Sequence, residues 1–462
     1  MNAAPALSQV LADHAAAISW ADLPQSVHLA FRRALVDYLA VVAAGLSQPP
    51  AVAVRALAEA QAGRPVATLI GTAQRASVQD AAFANGTAAH ALDFDDGHRE
   101  GSAHPGGVIF STALAVAEAE GSDWLAFAEA VVAGYEVMLR IAASIHPTSA
   151  GQGWHNSSVA GVFGAVAAAG RLMGLDAATI AQGFGLAGSF AGGIREYLYD
   201  GADVKRLHLG KAARDGILCA ELARRGVTGA QAVFEGRNGL FRAMAAGRGK
   251  ADRLVRGLGQ DWEFPQVYFK PYPCCRHFQA AIDATLALKA EHSIAPERVS
   301  SIEIGLYGPG VSGHEHVTAQ TLLDAQMSAP CAIATTLLHG HPGVAQFDPA
   351  GFDAPDMQRL LARTRVFTDA ECDAEYPARR TAVVRLTLDD ATVLERRIRD
   401  PKGEAENPLG DDEIGQKFLE NAGSVFGQAK AASLLSDIRA DAFAGGKVAA
   451  LTARLTPESA TA

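Results

Sequence analysis

The chain contains 462 residues, of which 49% are hydrophobic and 19% are charged, and its formal net charge is −10. This length exceeds what one simple hydrophobic core supports, so the sequence predicts two domains. The negative charge argues against nucleic acid and anionic membranes as partners, and no apolar run is long and clean enough to span a bilayer.

The cysteines and the N-terminus predict a cytoplasmic protein. The five cysteines are odd in number and show no C-x-x-C spacing, which is typical of a reducing compartment. This spacing also argues against a disulfide framework and against a four-cysteine zinc or iron–sulfur site. Because the N-terminal segment lacks the basic start and apolar block of a signal peptide, we expect no export.

Predicted helices follow one another from about residue 5 to residue 265. Apolar residues recur there at three- and four-residue spacing, and Gly, Pro and Asp separate the segments. Segment 160–170 is so rich in Ala and Gly that its backbone can approach neighbouring helices closely, which predicts burial within a bundle. The clearest predicted helices are 27–44, 108–120, 124–143, 159–173 and 211–225.

The pattern changes near residue 262, and the following region predicts a smaller α+β domain. Strand-like runs occupy 299–308, 381–388 and 392–399. Asp389-Asp390-Ala391 separates the last two runs and predicts a hairpin turn. Within the same region, helices are predicted at 278–291 and 329–339.

Helical periodicity returns after Pro401-Lys402-Gly403, with predicted helices over 411–421 and 424–439. We expect this tail to pack back on the first domain. The sequence therefore predicts three segments: a helical domain over 1–266, an inserted α+β domain over 267–398, and the C-terminal return of the helical domain over 399–462.

A short segment between two predicted helices, 85–107, concentrates acidic and basic side chains. Crowded groups of opposite charge shift one another's pKa values, which proton-transfer chemistry requires. A solvated acidic loop would have a similar composition, and its D-x-D-D motif also resembles the acid of terpene cyclases. The rest of the chain favours an active site. The titratable groups of the segment are His90, Asp93, Asp95, Asp96, His98 and His104.

Basic side chains precede four predicted helix starts. Helix N-termini present free N–H groups and a positive partial charge, so they bind carboxylates. Four such ends would form a polycarboxylate pocket if they converged, although each of these residues could also be an ordinary surface residue. They are His104 before the helix from 108, His155 before the helix from 159, Lys205, Arg206 and His208 before the helix from 211, and Arg276 and His277 before the helix from 278.

Three further motifs have a simpler interpretation. Cys274-Cys275 could supply a nucleophile, but neighbouring cysteines beside apolar residues are more often packed and inert. The pairs His314-x-His316 and His339-x-His341 have metal-like proximity, yet no third ligand accompanies them. We interpret both histidine pairs as loop residues.

Six segments, taken in order, resemble the MmgE/PrpD family. They are NGTAAHALDFDDGH with the following HPG, GWHNSSVAGVFGAVAAAGRLMGL, KRLHLGKAARDGILCAELARRGVTG, FKPYPCCRHFQAAID, MSAPCAIATTLLHG and PKGEAENPL. The resemblance covers nearly the whole chain. It implies a mainly α fold, in which a large all-helical domain carries a smaller inserted α+β lid domain with the active site in the cleft between them. It also implies a homodimer that needs no metal and no organic cofactor.

The resemblance implies roles for individual residues. The site aspartate of cis-aconitate decarboxylase, a member of the family, falls on Asp93, its first two site histidines on His104 and His155, and its site lysine on Lys205. The last site histidine falls ambiguously on 275–277. We therefore assign Asp93, His104, His155 and Lys205 to catalysis, and the predicted substrate-binding residues are Arg206, His208, Lys270, Arg276 and His277.

Two departures weaken the decarboxylase assignment in particular. Gly97 stands where the decarboxylase has a threonine, and the loop before His104 is one residue longer. The family also includes 2-methylcitrate dehydratase and iminodisuccinate epimerase. The chemistry that these members share is removal of a proton from the carbon next to a carboxylate, which needs a base near the C–H bond and cations near the carboxylate oxygens.

We expect an isomerase of the iminodisuccinate epimerase type, acting on a small di- or polycarboxylate. Arg276 and the Lys205-Arg206 pair suit a substrate with several carboxylates, and His155 and Lys205 could act as opposed bases. The same charges would suit 2-methylcitrate, so a dehydratase is the alternative from another reaction class. A decarboxylase also remains open, because fold does not choose among these outcomes. A helical binding or scaffold protein is a further alternative.

Overall fold

The computed structural model describes residues 5–61, 63–347 and 349–457. Residues 1–4 and 458–462, which the domain prediction assigns to the helical domain, lie outside the described residues. The described chain is mainly helical, with one four-stranded sheet and two two-stranded sheets. The predicted fold class, mainly α with a smaller α+β part, is confirmed.

The first part of the chain forms a helical bundle. Its core is alanine-rich, and small residues allow close helix crossings: a Cβ atom on Gly164 would lie 2.8 Å from the carbonyl oxygen of Gly134. Residues 156–170 are all buried, which confirms the predicted burial of segment 160–170. The long helices are Leu7–Ala17, Gln25–Gly45, Pro49–Ala60, Val78–His90, Gly106–Glu120, Trp124–Ile145, Asn156–Leu172, Ala177–Phe190 and Val204–Arg224.

Shorter elements complete this part. Two strands, Gly97–His98 and Val267–Tyr268, pair in antiparallel fashion and join the loop after helix Val78–His90 to the end of the bundle. A second short pair joins Ala67–Thr68 to Arg75–Ala76. The short helices are Thr148–Gly151, Tyr197–Asp200, Leu240–Met244 and Ala251–Val255.

The region after residue 270 is built on a four-stranded sheet. The strand order is Thr364–Thr368, Val299–Leu306, Ala382–Leu388, Val393–Ile398, with the first pair parallel and the other two antiparallel. The turn between the last two strands contains Ala391 at φ 68°, which agrees with the predicted hairpin. The helices are Gln279–His292, Gly308–Val311, Leu322–Met327, Ala329–His339, Pro355–Leu361 and Ala370–Glu375.

The C-terminal segment is helical again, over Asp411–Phe426, Gln428–Arg439 and Ala449–Thr452. One hydrophobic cluster unites buried residues from Leu11 to Phe269 with those from Leu409 to Leu455, so the tail packs on the bundle. A second cluster runs from Tyr272 to Leu388. We call the residues that pack around the first cluster the helical part, and those that pack around the second cluster the lid part. Clusters do not define folding units, so the domain boundaries at 266/267 and 398/399 stay predictions.

One predicted helix start is wrong in a way that affects the site. The helix predicted from residue 211 begins at Val204, so Lys205, Arg206 and His208 lie within it rather than before it. The helix continues through Gly210, whose missing Cβ lets helix Val78–His90 approach. A Cβ atom there would lie 2.2 Å from the Phe83 carbonyl oxygen.

Two other helix starts differ slightly from the prediction. The helix predicted from residue 159 begins at Asn156, and His155 itself occupies the N-cap position. The helix predicted from 278 begins at Gln279 and is preceded by a 3-10 turn, Arg276–Phe278. Within the described ranges, no helix combines the length and the apolar character needed to cross a membrane.

Candidate active site

One cavity is lined by residues from both parts of the chain. Seven of the nine predicted site residues line it: Asp93, His104, His155, Lys205, Lys270, Arg276 and His277. Arg206 and His208 do not line it. The segments that carry the seven lining residues therefore converge on one cavity, as the sequence analysis required for a single site.

A buried carboxylate lies between two ammonium groups at the cavity wall. Asp93, in the left-handed region at φ 51°, follows helix Val78–His90 and forms ion pairs with Lys205 and, at 3.1 Å, with Lys270. Lys270 also donates a hydrogen bond to the Asp93 carbonyl oxygen at 2.7 Å. Burial acts to raise the pKa of Asp93, but the two ammonium groups outweigh it and hold that pKa well below its usual range.

The same carboxylate acts on Lys270. Burial acts to lower the pKa of Lys270, but Asp93 and Asp95 raise it above its usual range. Lys270 therefore stays positively charged at neutral pH. Because it lines the cavity, its ammonium group could bind a substrate carboxylate.

Two imidazoles pack together beside this group. His90 donates from Nδ1 to Asp95 Oδ2 at 2.8 Å, and the rings of His90 and His104 lie 5.1 Å apart. His104 donates from Nδ1 to the Asp96 carbonyl oxygen at 2.7 Å, so the Nε2 atom of its neutral ring is free to accept a proton. Burial lowers the pKa of His104 to about 3, which keeps this ring neutral at pH 7.

The third aspartate of the motif, Asp96, binds groups within the protein at the start of a helix. Asp96 accepts hydrogen bonds from the Gly106 N–H and from the Tyr135 hydroxyl, both at 2.9 Å, at the start of helix Gly106–Glu120. Burial raises the pKa of Asp96 well above its usual range, and Asp37 and Asp95 raise it further. Asp96 therefore anchors the loop rather than facing the cavity.

His155 is held by a second histidine. Its Nδ1 lies 2.9 Å from Nδ1 of His208, so one ring donates and the other accepts. Burial lowers the pKa of both rings, to about 4 for His208 and well below the usual range for His155, whose neighbour His208 lowers it further. His208 thus contacts His155 instead of the cavity, and Arg206 donates to the Ala91 carbonyl oxygen.

Arg276 lines the cavity, but its donors are occupied within the protein. Nε donates to Glu404 at 3.1 Å, Nη1 donates to Gln279 at 2.7 Å and to the Lys402 carbonyl at 2.9 Å, and Nη2 donates to the Pro401 carbonyl at 3.3 Å. Arg276 therefore connects the start of the lid part to segment 401–404.

The neighbouring lid residues form a second group of hydrogen bonds. His277 Nδ1 lies 2.6 Å from the Tyr307 hydroxyl, and Cys275 Sγ lies 3.3 Å from His314 Nε2. Burial raises the pKa of the thiols of both Cys274 and Cys275, so they remain protonated and are poor nucleophiles. His314, which the sequence analysis interpreted as a loop residue, is buried and lines the cavity.

The sequence analysis missed several lining residues. Arg195, Tyr197, Tyr268 and Arg380 line the cavity, and none belongs to a recognisable motif. Tyr268 pairs with Gly97 in the short two-stranded sheet, and a Cβ atom on Gly97 would lie 2.3 Å from the Tyr268 hydroxyl. The tyrosine therefore takes the space that a larger residue at position 97 would need.

One group of side chains could hold a metal ion. Among the described residues, His90, Asp95 and His104 offer ligand atoms within 4.8 Å of one another. The Nδ1 atom of each histidine donates within the protein, so Nε2 is the atom through which either ring could ligate a metal. Independence from metals and cofactors stays a prediction.

The C-terminal tail supports the site from behind. Lys417, in helix Asp411–Phe426, is buried and forms an ion pair with Asp37 at 2.7 Å. Its ammonium also donates to the carbonyl oxygens of Phe94 at 2.8 Å and Lys270 at 3.0 Å. One side chain from the tail thus joins the Asp93 loop to the segment that carries Lys270.

Comparison with known proteins gives a consistent family. Residues 9–252 match the family model of the MmgE/PrpD N-terminal domain, and residues 272–439 match the model of the MmgE/PrpD C-terminal domain. A cis-aconitate decarboxylase-like protein of Aspergillus oryzae is 28% identical and covers 78% of this chain and 78% of its own length. The cis-aconitate decarboxylase of Aspergillus terreus is 26% identical, covering 77% of each chain. That of Mus musculus is 27% identical, covering 77% of this chain and 74% of its own.

Proposed function

The chain belongs to the MmgE/PrpD family, and from its cavity we propose that it removes a proton from the carbon next to a carboxylate of a small polycarboxylate. One observation carries this proposal: two imidazoles kept neutral by burial, His104 and His155, line the same cavity as the side chain of Lys205. A neutral imidazole accepts a proton, and an ammonium group donates one.

The charge of the cavity supports a substrate with several carboxylates. Removing the proton next to a carboxylate places further negative charge on its oxygens, so cations near those oxygens lower the barrier. The lining contains Arg195, Lys205, Lys270, Arg276 and Arg380, but Asp93 is the one carboxylate among the described residues that line it. The cavity therefore has an excess of positive charge that a polycarboxylate would neutralise.

Within this chemistry we propose epimerisation, of the iminodisuccinate epimerase type. His155 and Lys205 supply two groups that can exchange protons with one carbon. If one takes the proton and the other returns it to the opposite face, the configuration inverts and no bond to carbon is lost. Asp93 holds Lys205 in place through their ion pair.

Decarboxylation is the second candidate, and the relatives favour it. Those named cis-aconitate decarboxylase match more than two thirds of the chain, at 25–27% identity. Loss of CO₂ would generate the same carbanion-like state, which Lys205 or His155 would then protonate. Gly97 stands where the decarboxylase has a threonine, and Tyr268 fills the space beside it. This difference argues for a reaction other than decarboxylation. Dehydration of a 2-methylcitrate-like acid is a third outcome of the same deprotonation.

Proton NMR in D₂O separates these reactions in one experiment. The purified protein is incubated with iminodisuccinate, cis-aconitate and 2-methylcitrate in separate tubes. Exchange of the α-proton with no product other than the epimer supports the epimerase. Release of CO₂ with a shorter unsaturated acid supports the decarboxylase, and new alkene signals from 2-methylcitrate support the dehydratase. If all three acids remain unchanged, the proposal fails and the binding or scaffold alternative gains support.

We also propose that the protein works as a cytoplasmic homodimer, as the resemblance implies. The described cysteines are all free and buried, which suits a reducing compartment. Light scattering coupled to gel filtration should give twice the chain mass of 48.1 kDa. A monomer with full turnover would contradict the dimer.

A further inference from the structure

Two donor atoms of one buried arginine in the cavity lack hydrogen-bond partners among the described residues. Arg380 lies two residues before strand Ala382–Leu388, is 4% exposed and lines the cavity. Its guanidinium carbon lies 5.4 Å from the centroid of the Tyr268 ring. Its Nε and Nη1 atoms have no hydrogen-bond partner among the described residues. Buried N–H donors without acceptors destabilise a folded protein, so such a group needs an explanation.

The nearby acidic group is already used by other arginines. Burial acts to lower the pKa of Arg380, whereas Tyr268, Tyr307 and Glu404 raise it. Glu404 Oε1 accepts from Arg276, and its Oε2 accepts from Arg99 at 3.4 Å. Arg276 thus has its carboxylate within the protein, and Arg380 does not. The open donors of Arg380 therefore suit an acceptor that arrives from the cavity.

Arg380 and Lys205 occupy different surroundings within the cavity. The charge of Arg380 acts on His146 and His277, whereas the charge of Lys205 acts on His90 and His155. A ligand with two carboxylates could present one carboxylate to each of these two groups of residues.

We propose that Arg380 binds a substrate carboxylate other than the one next to the reacting carbon, and so selects di- and polycarboxylates over monocarboxylates. This inference rests on the proposed function, because it assumes that the reacting carboxylate lies beside Lys205 and Lys270. Tyr268 orients the guanidinium through its ring, and strand Ala382–Leu388 provides a rigid base. Arginine suits this task because it remains charged when buried and its donors are fixed in a plane.

Binding of two unreactive acids tests the inference directly. Glutarate is butyrate with one additional carboxylate, so the ratio of their dissociation constants measures what the second carboxylate contributes. The ratio is determined by calorimetric titration for the wild type and for Arg380→Met, which keeps the length of the side chain and removes the charge. Arg379→Met is the matched control, because Arg379 is the adjacent residue and forms ion pairs with Asp400 and Glu406 instead.

We expect Arg380→Met to weaken glutarate binding roughly 10- to 100-fold, the usual worth of a charge-assisted hydrogen bond. Butyrate binding should change less than about threefold, and Arg379→Met should bind both acids as the wild type does. If Arg380→Met does not fold, Arg380→Lys replaces it, because lysine keeps the charge but not the planar set of donors. Its preference for glutarate over butyrate should be weaker than that of the wild type and of Arg379→Met, but should not disappear.

An unchanged ratio in the Arg380 variant would overturn the inference, as would a wild type that does not prefer glutarate to butyrate. An equal loss for both acids would do the same, because it would indicate general damage to the cavity. Turnover is not needed for this measurement. A protein that binds glutarate through Arg380 but converts none of the three acids above would refute the proposed function and leave Arg380 as a carboxylate-binding residue.

Discussion

Replacement of Asp93 by asparagine tests whether this carboxylate balances the charge of the buried lysines. Asp93 forms ion pairs with Lys205 and Lys270, and all three side chains are buried. Asparagine keeps the shape of the side chain and removes its charge, which leaves two buried ammonium groups beside a neutral amide. Removing one partner of a buried ion pair costs about 3–5 kcal/mol.

This loss of free energy of unfolding corresponds to a lower melting temperature, Tm. The unfolding entropy of globular proteins near 60 °C is about 2.1 cal/mol/K per residue, so the 462 residues correspond to about 1 kcal/mol/K. We therefore expect Asp93→Asn to lower Tm by roughly 3–5 °C at pH 7. Turnover should also fall, because Lys205 loses the partner that holds it in place.

The effect should depend on pH in a defined direction. The pKa of Lys270 is raised in the folded protein, so its stabilising contribution is present below the ordinary lysine pKa of about 10.4 and is lost above it. In Asp93→Asn the buried ammonium becomes a penalty, which disappears as the lysine deprotonates. The difference in Tm between the two proteins should therefore narrow from pH 7 to about pH 10.

Differential scanning calorimetry at both pH values gives the result, and Asp93→Asn combined with Lys270→Met is the control. The second substitution removes one unpaired ammonium group, so it should restore part of the lost Tm. A variant that melts like the wild type at pH 7 would refute the assumed charge balance. An equal drop at both pH values would show that packing, rather than charge, is responsible.

Other predictions concern the groups that move protons. Lys205→Ala and His155→Ala should each lower turnover about 10²- to 10⁴-fold, and in an epimerase each should retain α-proton exchange, seen by NMR in D₂O, from one enantiomer only. Wild-type turnover in either variant would remove that residue from the site. Burial lowers the pKa of His104 to about 3. We therefore expect kcat/KM, corrected for substrate ionisation, to stay level from about pH 8 to pH 5. A tenfold decline per pH unit below the usual imidazole pKa of about 6.5 would instead show an ordinary histidine. Activity should survive dialysis against a strong chelator. Loss that added metal restores would instead implicate His90, Asp95 and His104 as ligands.

The family and the fold class follow from local patterns, whereas the convergence of the site segments is visible only in the structure. The ordered motifs predict the family, and helical periodicity predicts most of the bundle, so both results hold in the structure. Helix Val204–Arg224 shows where such patterns fail, because the early start of that helix places Lys205 and His208 three residues apart on one face. With the helix predicted from residue 211, the contact between His208 and His155 could not be anticipated.

Arg380 shows a second kind of failure. It stands beside Arg379 in the sequence PARRT, and no motif distinguishes the two. In the structure Arg379 forms an ion pair with Asp400, whereas Arg380 is buried in the cavity. Both arginines precede strand Ala382–Leu388, so only the position of this segment against the rest of the structure decides which arginine enters the site.

Lys417 has a consequence for the order in which the site can form during synthesis. Its ammonium holds the Phe94 and Lys270 carbonyl groups, which belong to segments made much earlier. A nascent chain emerging from the ribosome can fold its first helices, yet this support is missing until residue 417 has left the exit tunnel. A message truncated between the last strand and helix Asp411–Phe426 would therefore encode every lining residue of the cavity and still release a protein with an unsupported Asp93 loop.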